Sequence, residues 1–302
     1  MSSFWSIWIS VLTLGVIFGC WILLWVTRKN QSSDEVKNES VGHEFDGIVE
    51  LDNPLPKWWV WMFVILIVFS LGYLALYPGL GNYQGLLGWS QEQQYEDERA
   101  AAEAEYGPIF AAFAEKSVEE LAHDGDAMAA GQRLFSNNCA VCHGSAGRGF
   151  VGFPNLTDDK WQWGGTPDDI YETLYEGRQA NMPARGTNPD LTNDELEDIT
   201  EFVLSLNDRA TDEEAAERGE SLYQGACVAC HGPEGKGQTS LGAPDLTDDT
   251  WLYGGSHDAI MESLLRGRQG HMPAQKNILT EDQIHLLTAY VYRLSGQHRD
   301  DD

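Results

Sequence analysis

Cys139-Ala140-Val141-Cys142-His143 returns 88 residues later as Cys227-Val228-Ala229-Cys230-His231. A lone C-x-x-C reads as a redox dithiol or half of a zinc site. C-x-x-C followed at once by His reads instead as covalent haem attachment. Two cysteines three apart reach neighbouring vinyl groups of one porphyrin as thioethers, and the adjacent His is placed beneath the iron as proximal ligand. Cys139, Cys142 and His143 are therefore candidate site residues for one haem c, and Cys227, Cys230 and His231 for a second. Zinc needs four ligands at each site, and two Cys with one adjacent His make a poor tetrahedron.

The motif is the centre of a longer repeat. Pro154-Asn-Leu-Thr-Asp-Asp-Lys-Trp161 recurs as Pro244-Asp-Leu-Thr-Asp-Asp-Thr-Trp251, now 90 residues on. Gly177-Arg178-Gln179-Ala-Asn-Met182-Pro183 recurs as Gly267-Arg268-Gln269-Gly-His-Met272-Pro273 at the same offset. Met182 stands 39 residues after His143, and Met272 stands 41 after His231. Thioether sulfur is the sixth ligand of a high-potential electron-transfer haem. Met182 and Met272, in matched positions, are the candidates, one for the haem of each repeat; His271 is the alternative in the second. The metal ligands are then His143, Met182, His231 and Met272. Trp161, Trp251, Arg178 and Arg268 are candidate partners of the haem propionates, and the carbonyls near Pro154 and Pro244 candidate acceptors for the proximal imidazole N–H.

Each repeat begins with a short helical pattern, Gly131 to Phe135 or Gly219 to Tyr223. Each closes on an amphipathic helix, with Leu196, Ile199, Phe202, Val203 and Leu206 in the first and Ile284, Leu287, Tyr290, Val291 and Leu294 in the second. Thr192 with Glu195, and Thr280 with Gln283, are capping boxes. Glycine- and proline-rich loops lie between, without strand alternation. The reading is all-α, with two tandem haem domains over 128–208 and 213–298. Domains this small and loop-rich are marginal on their own cores; buried haem supplies the missing apolar surface.

Upstream, residues 4–26 and 58–77 are apolar and uncharged, each long enough to span a hydrocarbon core of about 30 Å as a helix. No basic residue precedes the first run, which argues against a cleaved signal peptide. Arg28, Lys29, Lys37 and Lys57 all lie between the runs, so the loop 27–57 is expected in the cytoplasm and the haem domains outside. In a bacterium this is a two-pass inner-membrane anchor with haem domains in the periplasm. Neither span holds His or a charged residue, so neither supplies ligands or a proton relay. Cys20 reads as packing. Residues 79–127 read as a linker: Ser90 with Gln93 opens a helix through about Tyr106, and Ser117 with Glu120 opens another turn.

The chain carries 47 acidic against 19 basic residues, a net of -28. Residues 1–78 account for -3, so -25 belongs to the rest. Such acidity repels phosphate and argues against nucleic acid as partner; it suits a basic protein partner drawn in by long-range attraction.

Each repeat resembles a class I cytochrome c domain, in which an N-terminal helix with Gly and an aromatic four residues on crosses a C-terminal helix. The whole order is similar to subunit III of cbb3-type cytochrome c oxidases, the CcoP family. The segment Phe45-Asp46-Gly47-Ile-Val-Glu50-Leu-Asp-Asn53-Pro54-Leu-Pro56-Lys-Trp58-Trp59 resembles that family's signature before its membrane span, and is far more specific than a haem motif. The resemblance implies an electron-transfer subunit without a catalytic site of its own. It implies acceptance of electrons from a periplasmic cytochrome and their relay, through a mono-haem cytochrome c subunit, to the catalytic haem-copper subunit. The competing readings are a di-haem subunit of another membrane complex, such as a periplasmic dehydrogenase, a di-haem peroxidase, and a haem-based gas sensor. The last two need an open iron position, which matched methionines oppose.

Overall fold

The computed structural model describes residues 1–29, 40–51 and 55–296. Asp52, Asn53 and Pro54 of the signature before the second span, Lys37 between the spans, and the last two residues of the second repeat lie outside the described residues. The chain divides into two compact units, Met1–Glu105 and Tyr106–Asp302.

In the first unit, α1 (Ser3–Lys29) and α2 (Lys57–Leu76) are both long and apolar enough to cross a membrane. At 1.5 Å per residue they measure about 40 and 30 Å. Their large side chains, among them Trp5, Val11, Trp61 and Leu66, are exposed. Tyr77, which precedes Pro78, is extended and ends α2, because proline crowds the helical conformation of the residue before it. Just beyond, the Asn82 amide donates to Ser6 Oγ at 2.9 Å and its side chain to the Met1 carbonyl at 3.3 Å. The start of α1 and the chain leaving α2 thus lie at the same end of the pair. Between the helices, β1 (Ser40–Phe45) and β2 (Ile48–Leu51) form an antiparallel hairpin. Its Asp46-Gly47 turn has φ of 50° and 85°, the left-handed pair that tight hairpins require and that Asp-Gly favours.

The spacer helix α3 (Gln91–Ala114) starts where expected, the Gln93 amide donating to Ser90 Oγ at 3.1 Å. It runs past the expected end at Tyr106, through Pro108, because Phe110 and Phe113 find a core to pack against. The next helix, α4 (Val118–His123), opens with the expected Ser117/Glu120 capping box. Although the helix falls in the stretch read as linker, Leu121 and Ala122 are fully buried in that same core.

The second unit holds both repeats. The first contributes α5 (Gly125–Asn138), α6 (Ala140–His143), α7 (Pro167–Glu176), β3 (Arg178–Met182) and α8 (Asn193–Ser205). The second contributes α9 (Glu213–Ala226), α10 (Val228–His231), α11 (His257–Arg266), β4 (Arg268–Met272) and α12 (Glu281–Leu294). Both predicted capping boxes, at α8 and α12, are present.

The helix pairing differs from the sequence-based expectation. Within-repeat crossing would set α5 against α8 and α9 against α12. Instead α5, α4 and α7 pack on α12, while α8 packs on α9 and α11. One core joins Leu121, Phe135, Ile170 and Leu174 to Ile284, Leu287 and Val291; the other joins Leu196, Ile199, Phe202 and Val203 to Tyr223, Ile260 and Leu264. Both crossings rest on a glycine. A Cβ at Gly131 would stand 2.8 Å from Tyr290 Cβ, and one at Gly219 would stand 2.0 Å from the Asp198 carbonyl oxygen. One helical turn on, Phe135 meets Tyr290 with centroids 5.4 Å apart, and Tyr223 meets Phe202 at 4.9 Å. The physical reason for the exchange is connection length. Only residues 206–212 separate α8 from α9, and short connections make consecutive helices spatial neighbours.

The segments expected to be plain loop around each Met-Pro contain strands. β3 and β4 pair antiparallel, with Arg178 opposite Met272 and Met182 opposite Arg268. This ribbon joins one repeat to the other.

Candidate functional site

Each C-x-x-C-H motif forms the end of a helix and the single turn after it. Cys139 closes α5 with its amide bonded to the Phe135 carbonyl, and the His143 amide returns to the Cys139 carbonyl at 3.0 Å. Cys227 and His231 repeat this at the end of α9, at 3.1 Å. Both histidines are 8% exposed. His143 Nδ1 lies 3.0 Å from the Pro154 carbonyl oxygen, and His231 Nδ1 lies 3.1 Å from that of Pro244. A carbonyl only accepts, so Nδ1 carries the proton and Nε2 keeps its lone pair for a metal. Burial pushes both imidazoles below the ordinary histidine range, against the pull of the carbonyl bond. Burial, with the neighbouring thiol adding, pushes Cys139 and Cys227 up to about 11. The thiols are thus held protonated and the imidazoles neutral.

Both motifs open into one cavity of about 1220 Å³, lined by Cys139, Cys142, His143, Cys227, Cys230 and His231 and by both methionines. Small-molecule pockets usually measure about 300–1,000 Å³, so this space exceeds that of a single ordinary ligand. Its wall is mostly apolar. Among the described residues, one buried side-chain nitrogen lacks a hydrogen bond, Nε1 of Trp251, which lines this cavity. Matched imidazole, thioether and paired-thiol donors, apolar walls and an orphaned N–H together fit a large apolar cofactor with polar edges.

The methionines are not placed as sequence distance suggests. Met272 packs in the core that holds Cys139 and Phe135; Met182 packs in the one that holds Cys227 and Tyr223. This packing is crossed relative to the expected pairing of Met182 with His143 and Met272 with His231. The main chain enforces it. The Thr187 amide donates to the Ala226 carbonyl at 3.0 Å and the Arg185 amide to that of Leu264 at 2.7 Å, which ties the loop after Met182 to α9 and α11. The Gln275 amide donates to the Leu174 carbonyl at 2.9 Å, which ties the loop after Met272 to α7. His271 stands opposite Gln179 on the exposed face of the ribbon while Met272 is half-buried. Successive strand residues point to opposite faces, and both residues line the cavity.

Arg178 lies 5.0 Å above Trp163 and spends its donors on Thr173 Oγ1, Glu172 and the Asp169 carbonyl. Arg268 lies 4.5 Å above Tyr253 and donates to Ser263 Oγ. Trp163 and Tyr253 are cavity residues that sequence reasoning passed over, although they stand at matched positions two residues after Trp161 and Trp251.

Comparison with known proteins places both repeats in one family. The family described as "Cytochrome C oxidase, cbb3-type, subunit III" matches residues 126–203 and again 214–291. The "N-terminal domain of cytochrome oxidase-cbb3, FixP" matches residues 37–84, which include the signature before the second span. The chain is 42% identical over 300 residues to the cbb3-type cytochrome c oxidase subunit CcoP of Rubrivivax gelatinosus, covering 97% of this chain and 96% of that one. It is 40% identical to the CcoP subunit of Azospirillum brasilense and 40% to the FixP subunit of Bradyrhizobium diazoefficiens, each over 85% of this chain and 95% and 94% of theirs.

Proposed function

The chain belongs to the family of subunit III of cbb3-type cytochrome c oxidases, and from that premise we propose that it carries two covalent haem c groups with exchanged methionine ligands. It is an electron-transfer subunit of that enzyme complex, with cytochrome c domains and candidate membrane helices, and other oxidase subunits are its partners.

In this reading Cys139 and Cys142 would hold one haem by thioether bonds, with His143 Nε2 and Met272 sulfur as the donors to its iron. Cys227 and Cys230 would hold the other, with His231 Nε2 and Met182. Haem c supplies a one-electron iron couple. The protein's part is to keep that couple rigid and dry. The Pro154 and Pro244 carbonyls orient the imidazoles and raise their basicity. The β3–β4 ribbon holds both thioethers on one frame, and the common cavity brings the two cofactors close. The observation that carries the proposal is two matched donor sets lining one cavity, each a His with Nδ1 committed and a Met packed in the core of that motif's first cysteine.

The contact of Asn82 with Ser6 and Met1 supports a two-pass anchor whose ends share one side. With the basic residues between the spans, the haem unit lies in the periplasm of a bacterial inner membrane. Its surplus of acid suits a basic cytochrome c donor. Electrons then pass through the mono-haem cytochrome c subunit to the catalytic haem-copper subunit.

The ligand exchange is tested in a chain bearing Cys227→Ala and Cys230→Ala, which retains the haem of Cys139 alone. Met272→Ala lowers the midpoint potential of that haem, whereas Met182→Ala leaves it in place. The opposite result restores pairing within each repeat. Haem staining of denaturing gels checks attachment in the same samples.

A further inference from the structure

From Trp58 to Gln91 the chain carries no charged residue, and Glu92 opens the charged run of α3. α2 accounts for only part of this stretch, since it ends at Leu76. The uncharged remainder does not run straight on from the helix but folds back against its end. The Leu86 amide donates to the Ala75 carbonyl at 2.9 Å and the Leu87 amide to the Leu76 carbonyl at 3.1 Å. Tyr83 Oη donates to the Ala75 carbonyl as well, at 2.9 Å. On its other side the same turn is held to the start of α1, through Asn82. Two glycines permit the close approach. A Cβ at Gly85 would stand 2.3 Å from the Leu76 carbonyl oxygen, and one at Gly81 would stand 2.2 Å from Ser6 Oγ. Trp89 closes the turn edge to face on Tyr77, with centroids 5.7 Å apart.

This construction suits lipid and gains little in water. The last carbonyls of a helix have no partner inside it. Water would satisfy them at no cost to the chain, whereas in a bilayer each one left unmade is expensive. Here the returning amides take the carbonyls of Ala75 and Leu76, so the last turn of α2 can lie below the water line. It needs that depth, because α2 is only about 30 Å long, no more than the hydrocarbon core it has to cross. The side chains agree with the backbone. Leu86 and Leu87 hang level with that last turn and are 76% and 57% exposed. Tyr83 and Trp89 beside them are exposed too, at the end of the pair that carries Trp5 and Trp8 of α1, as aromatics at a membrane–water boundary are. The apolar surface is continuous with the exposed side chains of α2, such as Phe69 and Leu76.

We propose that residues 79–89 form a lipid-inserted foot, with Leu86 and Leu87 among the phospholipids of the leaflet that holds the start of α1 and the end of α2. This rests on the reading of α1 and α2 as membrane spans. The chain then leaves the bilayer at Ser90, whose hydroxyl caps α3, and not at Tyr77 where the span ends.

The test uses the full chain in the assembled oxidase, in nanodiscs of phosphatidylcholine and phosphatidylglycerol, which leave both membrane faces open to reagent. Cys20→Ala removes the cysteine of α1, and single cysteines replace Leu86, Leu87, Leu66 of α2 or Glu103 of α3; modified sites are located by peptide mass. A charged maleimide reacts with thiolate in water, so Leu86→Cys and Leu87→Cys should be modified about tenfold or more slowly than Glu103→Cys. A benzophenone maleimide attached at 86 or 87 before reconstitution should, on irradiation, give phospholipid adducts. Reaction of both positions as fast as Glu103→Cys, with Leu66→Cys protected, overturns the foot and leaves the spans intact. Photo-adducts confined to another oxidase subunit also overturn it, by making the turn a protein contact. A Leu66→Cys as reactive as Glu103→Cys overturns the spans themselves, and the foot with them.

Discussion

His143 and His231 show how one carbonyl settles the chemistry of a side chain. Each Nδ1 is committed to a proline carbonyl about one loop downstream, so the tautomer, the ring plane and the free Nε2 follow together. Asp158 and Asp248 show the reverse, a cost built into the cavity mouth. Burial raises both carboxyls, and each stands close enough to other acids to add to the effect, Asp159 and Asp248 for one, Asp245 and Asp249 for the other. A carboxyl whose folded value lies above its ordinary value of 3.8 binds its proton more tightly when folded. It favours the folded state below that ordinary value, and this contribution is lost as pH rises through the folded one. Asp158→Asn keeps an acceptor for the Lys160 amide and removes the charge. Thermal melts should show the variant above wild type at pH 7 by about 1 kcal/mol or less, with the gap closing as the solution is acidified.

At the scale of elements, glycines rather than large residues decide which helices meet. α9 approaches α8 so closely that a Cβ at Gly219 would lie 2.0 Å from the Asp198 carbonyl. Gly219→Ala must push the helices apart, at about 1–3 kcal/mol for overpacking. It should lower the melting temperature and the haem content at Cys227, both measurable on the purified subunit. The capping boxes were legible because both of their partners lie within four residues of each other. The far end of α3 was not, since packing of Phe110 and Phe113 on a distant core overrides the local break at Pro108. The β1–β2 hairpin had a local signal in Asp46-Gly47, though the flanking segment was read only as a signature.

For the whole molecule, the exchange makes the segment from β3 to the end of α11 one contiguous packing unit, which under the proposed function is one haem site. Met182, α8, α9, the second C-x-x-C-H and α11 follow each other along the chain and share one core. The first site is discontinuous, built from α4 to α7 together with Met272 and α12. Two fragments should therefore behave differently. A chain ending at residue 208 lacks Met272 and α12; it should attach haem at Cys139 but show no methionine ligation and expose Phe135 and Leu174. A fragment of residues 178–267 should retain a histidine–methionine haem. Visible and magnetic circular dichroism spectra of both distinguish this from two self-contained domains.

The residues alone determined the cofactor motifs, the repeat, the two apolar spans and the capped helix starts, because each depends on spacing within a few residues or on composition over about twenty. They could not determine which methionine packs in which core. Two repeats with the same helical faces offer α5 two nearly equivalent partners, and nothing local distinguishes α8 from α12. Only the folded chain resolves that degeneracy: the short connection from α8 to α9 makes those helices neighbours, which leaves α12 for α5 and carries each methionine across to the other site.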